Sequence, residues 1–202
     1  MTDHSTFTNI KQKHGHYASW AVWADGAKPK ENVGDLSIFD VQEGDTLLQQ
    51  LNPHIVLVAL NISRPIESPF GNFHDKRPGS QDYKIRYALK GTSLWGAYMT
   101  DIIKDFEQKA AGRMMAYLRQ NKSFEHENIA SFEAEIKDLG ASRPTLIAFG
   151  GDAYRILYRN LHGLYDIVKV THYSHYMSKE AYREAIAGVM TSRVTSCGRQ
   201  GL

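Results

Sequence analysis

The chain has 202 residues, 42% hydrophobic and 23% charged, with 16 glycines and 6 prolines, which is ordinary globular composition with length enough for a buried core. A formal net charge of +2 is too mild to announce a nucleic-acid partner and too basic to argue against one. A single cysteine, Cys197, excludes a disulfide framework and any cluster held by several thiolates, so a reducing, cytoplasmic setting is expected.

The N-terminal residues have neither a basic nor an apolar block, so no signal peptide is expected. The longest apolar run, His54 to Leu60, falls well short of the roughly 18 residues of a membrane span. Residues 1–44 read as a helix-and-loop extension of a single domain. The spacing of Trp20, Trp23 and Ala24 predicts a short aromatic helix, which the turn-rich stretch Asp25 to Gly34 separates from the rest.

Asp45 to Leu51 reads as a short helix, and the run after Pro53 as a buried strand. From Asn61 to Ser80 five Pro and Gly residues enforce a long loop, and loops of that length inside a domain are usually functional or disordered. Arg64, Lys76, Arg77, Lys84, Arg86 and Lys90 make this region basic; a solvated loop accounts for that charge.

Beyond it, Ala97 to Ile103 reads as a strand, and Gly112 to Gln120 as a helix. A further helix carries Ile129, Phe132, Ile136 and Leu139 on one face. Thr145 to Phe149 is a second apolar strand; Gly150-Gly151-Asp152 then turns into a helix with Ala153, Ile156, Leu157 and Leu161 on its buried face. Asp166 to Val170 is a third such strand. After the loop Thr171 to Met177, Ser178 caps a last helix, and residues 193–202 read as a tail.

Apolar strands alternating with amphipathic helices imply an α/β fold with a parallel sheet covered on both faces. Ligands of such sheets bind at the carboxyl ends of the strands. The loops after Leu60, Thr100 and Val170 therefore face one crevice.

The first loop begins with Asn61, an amide able to orient a water or simply to cap the strand. It continues through Asn72 and through Phe70 and Phe73, aromatics that no helical or strand period explains, either packing under the loop or forming a platform for a planar ligand. The last loop holds His172 and His175 without a Cys or carboxylate to complete a metal site, so no metal is expected. Ser174 lacks the Gly-x-Ser-x-Gly elbow of a hydrolase nucleophile. An imidazole and a hydroxyl at a strand end suit an anionic leaving group and phosphate contact.

In this order, the segments Val58-Ala-Leu-Asn61-Ile-Ser-Arg64, Pro69-Phe-Gly-Asn-Phe-His74, Gly96-Ala-Tyr-Met-Thr-Asp-Ile-Ile103, Pro144 to Tyr154 and His172-Tyr-Ser174 resemble the motifs of the uracil-DNA glycosylase superfamily. The pattern spans residues 52–187 and is nearest to the mismatch-specific uracil/thymine branch. It departs from the family where Pro is missing after Asn61 and between His172 and Ser174, and where Ser63-Arg64 replaces a glycine.

The resemblance implies a three-layer α/β/α fold around a mainly parallel four-stranded sheet. It implies hydrolysis of the N-glycosidic bond of uracil or a related base in DNA by a cofactor-free monomer. Asn61 would orient the water and His172 would donate to the departing base. Phe70 or Phe73 would stack on the flipped base, Asp101 would contact its edge, and Asn72 would be among the substrate-binding residues. Ser63 and Ser174 would hold phosphates, and Tyr176 or Met177 would fill the vacated stack. Two alternatives share the fold: a non-catalytic nucleic-acid or nucleotide-binding protein, and a nucleoside N-glycosidase.

Overall fold

The computed structural model describes residues 2–104 and 106–197, with side chains as far as residue 189. Its strands are β1 (Ser19–Trp20), β2 (Asn52–Asn61), β3 (Ala97–Ile103), β4 (Thr145–Phe149) and β5 (Ile167–Val170). Its helices are α1 (His4–His14), α2 (Thr46–Gln50), α3 (Asp82–Leu89), α4 (Ala111–Gln120), α5 (Lys122–Asp138), α6 (Gly151–Leu161) and α7 (Lys179–Cys197). The strands form one sheet in the order β1-β3-β2-β4-β5. All pairings are parallel except that of β1 with β3.

Residue alternation on the strands divides the core into two layers. Val56, Val58, Leu60, Tyr98, Leu146 and Ala148 pack with Phe7 and Ile10 of α1, Phe132 of α5 and Ile156 of α6. Leu57, Ala59, Met99, Ile147, Phe149 and Val168 pack with Ile85 and Leu89 of α3 and with Tyr182 and Ile186 of α7. Both faces of the sheet are covered, which is why β2, β4 and β5 read as continuous apolar runs.

The sheet has five strands where four were expected, and the fifth lies where a helix was expected. The N-terminal helix comes earlier: the Asp3 carboxylate accepts the Thr6 N–H at 2.6 Å and caps α1. The chain then runs along the edge of β3, with Ala21 N–H donating to the Ala97 carbonyl at 2.8 Å. Trp20 faces one core layer, beside Tyr98, while Trp23 faces the other. Ala18 to Trp23 are all buried, so the three-residue tryptophan spacing carries no helical face.

One charged cluster sits inside the layer between β3 and α5. Lys104 pairs with Glu135, its Nζ donates to Thr100 Oγ1 at 2.7 Å, and Tyr98 donates to Glu135 Oε1 at 2.6 Å. The tail expected from residue 193 begins within α7, which continues through Cys197; residues 198–202 lie outside the described residues. Among the described residues, no helix is long and apolar enough to cross a membrane.

Candidate functional site

A cavity of about 620 Å³ opens at the carboxyl ends of β2, β4 and β5. Asn61, Phe149 and Gly150, and the His172 to Ser174 segment, bring the three strand ends to it. The loop from Ser63 to Asp82 and the segment after β3, through Gln108, Lys109 and Ala111, close the remaining sides. The site therefore falls where a parallel sheet is expected to bind its ligand.

Asn61 is the last residue of β2, and its Nδ2 donates to the carbonyls of Ile62, Phe106 and Gln108 at 2.7, 3.0 and 2.9 Å. The amide thus pins the segment after β3 against the end of β2. With both N–H groups engaged, Oδ1 is the hydrogen-bonding group this side chain retains for a ligand or water.

His172 lies just past the end of β5. Its Nδ1 accepts the backbone N–H of Ser174 at 3.1 Å, with Ser174 Oγ 2.8 Å from the same nitrogen. A backbone N–H can only donate, so Nδ1 is unprotonated and the neutral ring carries its proton on Nε2. Burial pushes this imidazole down to about 4, so the neutral form prevails at ordinary pH. The ring stacks on Tyr173 with centroids 4.4 Å apart. It also sits against Gly150, where a Cβ would come within 3.2 Å of the His172 Cβ. Gly150 has φ +89°, so the strand-to-helix turn depends on glycine both for its conformation and for the room it leaves.

Phe73, Phe149 and Tyr173 make an aromatic wall, with Tyr173 edge-on to Phe149 at 5.4 Å. Asn72 and Ser63 also line the cavity. Phe70 is a correction: it does not line the cavity, whereas Phe73, itself only 3% exposed, does; Phe70 is 0% exposed and packs between Phe7 and Phe39, with centroids 5.4 and 5.1 Å away.

Asp101 is a second correction. It is 2% exposed and does not line the cavity; it lies behind Asn72, which donates to its Oδ2 at 2.7 Å. Burial pushes this carboxyl up to about 7, against the Asn72 bond and the Lys104 charge. Tyr176 is fully exposed, and Met177 packs against the core layer of α3 and α7; neither lines the cavity.

Of the cavity residues, Asp75, Arg77 and Asp82 were not singled out from the sequence as site residues, whereas Ser63-Arg64 was noted there in place of a glycine. Arg64 and Arg77 converge on Asp75, with N–O distances of 3.4 and 2.7 Å. Burial pushes the Asp75 carboxyl up, but Arg77 and Arg64 outweigh it and hold the group below the usual carboxylate range. Asp82, 7% exposed at the start of α3, accepts the Asp75 N–H at 2.9 Å, and burial pushes it up to about 6. The run of charge from Arg64 to Lys90 was the available signal. The solvated-loop reading holds for Lys76, Arg77 and Lys90, which are exposed, but Asp82, Lys84 and Arg86 turn inward.

Among the described residues, no three His, Cys, Asp or Glu side chains come together as a set of metal ligands. A scan against protein-family models finds no match to this chain. Searches of curated proteins and of solved structures likewise find no similar chain.

Proposed function

We propose that this protein is a DNA glycosylase of the uracil-DNA glycosylase type, hydrolysing the N-glycosidic bond of uracil or a related damaged or mismatched base. The target nucleotide leaves the stack at a cost of a few kcal/mol and enters the crevice, since its C1′ is out of reach within a duplex. Phe73 and Tyr173 supply the wall for a planar base. Asn61 Oδ1 accepts a hydrogen bond from the attacking water and directs its oxygen towards C1′; as the new C–O bond forms the C1′–N bond breaks, the electron pair leaves on the base, and the water's proton passes to solvent or to that departing anion. A neutral amide is a feeble base, so the rate comes from positioning and from leaving-group stabilisation.

The observation that carries this reading is the fixed tautomer of His172. A neutral imidazole whose Nδ1 is occupied by Ser174 offers a permanent Nε2–H donor at the strand end. Such a donor stabilises negative charge developing on a departing base without first having to be protonated.

The test uses end-labelled oligonucleotides carrying one uracil, either single-stranded or opposite G or A, treated with alkali after incubation. Strand cleavage is expected with the native protein, and at least about a hundredfold less with Asn61→Ala. Unchanged turnover in the variant would remove Asn61 from the chemistry.

A second reading is a non-catalytic nucleic-acid-binding protein. It is favoured by the engagement of Asn61 Nδ2 with three carbonyls and by the Arg64 side chain in the cavity wall. Retarded mobility of the oligonucleotide with no abasic product would select it.

A further inference from the structure

We propose that Asp101 is a positioning residue of the crevice: its carboxyl holds the Asn72 amide, and Asn72 in turn holds Phe73 in the backbone conformation that makes its ring a wall. The inference rests on the crevice being the ligand site, and assigns Asp101 a role behind that site rather than at the base edge.

Each bond of the relay is present. Asn72 Nδ2 donates to Asp101 Oδ2 and to the Tyr17 carbonyl, both at 2.7 Å. Asn72 Oδ1 accepts the Phe73 N–H at 3.1 Å. This pattern fixes the amide's orientation. Reversed, it would set its oxygen against a carboxylate and a carbonyl, and its NH₂ against an N–H.

Phe73 has φ +63°, a left-handed conformation that a bulky side chain rarely adopts and that surrounding contacts must impose. The N–H that would drift if the conformation relaxed is the one Asn72 Oδ1 holds. The Asn72 bond to the Tyr17 carbonyl ties the relay to the loop before β1, and Asp101 ties it to β3. Asp101 is therefore a point at which β3 sets the position of a residue in the long loop. Asn72 supplies a side-chain hydrogen bond to this carboxyl. The carboxyl is buried and off the cavity surface, and the side chain it contacts is the one that lines the cavity.

The test measures amide hydrogen exchange of Phe73 by NMR in the ligand-free full chain, alongside uracil-oligonucleotide binding. Asp101→Ala is expected to lower Phe73 protection about tenfold or more, as for a lost hydrogen bond to a charged group. Amides in the middle of β2 should keep their protection. Asp101→Asn can still accept from Asn72 and should restore the native exchange rate, whereas Asp101→Leu, which fills the space without an acceptor, should lose protection as Asp101→Ala does. Asn72→Ala should reproduce the loss if Asp101→Ala folds poorly.

Oligonucleotide affinity is expected to follow the same order, native and Asp101→Asn above Asp101→Ala. Native exchange at Phe73 in both Asp101→Ala and Asn72→Ala would overturn the proposal, whatever the oligonucleotides do. Lost protection together with no binding or cleavage by the native protein would leave the relay standing and overturn the glycosylase reading.

Discussion

At the scale of single residues, His172 makes the sharpest claim. Burial holds its imidazole down at about 4, so between pH 5.5 and 8 it stays neutral and its Nε2–H is present throughout. Removing one preorganised donor from a developing anion typically costs about 10²–10³ in turnover. His172→Ala is expected to lose uracil excision by that factor, and the ratio of native to variant rates should not change across this pH range. Using the ratio cancels the titration of Asp82 and Asp101, which are pushed up to about 6 and 7. A ratio that climbs as pH falls through 6.5 would mean that the imidazolium is the working form and that the tautomer argument is wrong. The two phenylalanines of the same loop show a limit of residue-level reading. Phe70 and Phe73 stand three apart in an aperiodic segment, and both have a left-handed backbone. Which one lines the cavity is decided by distant partners: the Phe70 N–H donates to the Gly15 carbonyl at 2.7 Å, and the Phe70 carbonyl accepts from Ser19 at 2.9 Å, drawing Phe70 into the core.

At the scale of elements, the turn into β3 is the tightest junction. Gly96 has φ +83°, and a Cβ there would lie 1.8 Å from the Gln50 carbonyl oxygen. Its own carbonyl accepts the Asn52 N–H at 2.8 Å, joining the starts of β2 and β3. Gly96→Ala combines left-handed strain of about 1–3 kcal/mol with a backbone clash, so it should destabilise by at least about 2 kcal/mol in urea unfolding. A change below about 0.5 kcal/mol would mean the turn relaxes freely. The strands β2 to β5 and the helices α2 and α4 to α7 were legible in the sequence, most of them because burial follows a period or fills a run. Of the elements missed, β1 and α3 break that link. β1 is two residues long and pairs only at the sheet edge. In α3, Asp82, Lys84 and Arg86 are buried beside Ile85 and Leu89, so its inward face is no apolar stripe. Long-range bonds account for those ionic groups: Lys84 donates to the His175 carbonyl at 3.1 Å, and Arg86 to the Glu31 carbonyl. The strand-end residues Asn61, His172 and Ser174 were legible because topology alone sends them to one crevice. Asp101 was misplaced by the same reasoning, since a strand residue near the carboxyl end can still lie beneath a loop.

At the scale of the whole molecule, four perturbed groups set opposing pH dependences. Burial pushes His74 and His172 down to about 4 from an ordinary value of 6.5, so between those limits the folded state binds fewer protons than the unfolded chain, and stability rises with pH. Burial pushes Asp82 and Asp101 up to about 6 and 7 from 3.8, so over that window the folded state binds more protons, and stability falls as pH rises. Between pH 4.5 and 6 two rising contributions meet two falling ones, and the native protein should show a nearly flat stability profile. Below that window the depressed carboxyls of Asp75, Glu125 and Asp138 begin to protonate and lose their pairings, so stability should drop towards acid. The flatness is a cancellation and can be undone one group at a time. Asp101→Asn removes one falling contribution and should make stability climb with pH, by up to about 1.4 kcal/mol per unit, the linkage slope for one proton. His74→Gln removes a rising contribution and should tilt the profile the other way. Urea midpoints at pH 4.5, 5.25 and 6 for the native protein and both variants test this. Opposite tilts are expected, and three parallel profiles would show that these groups titrate alike in the folded and unfolded chains.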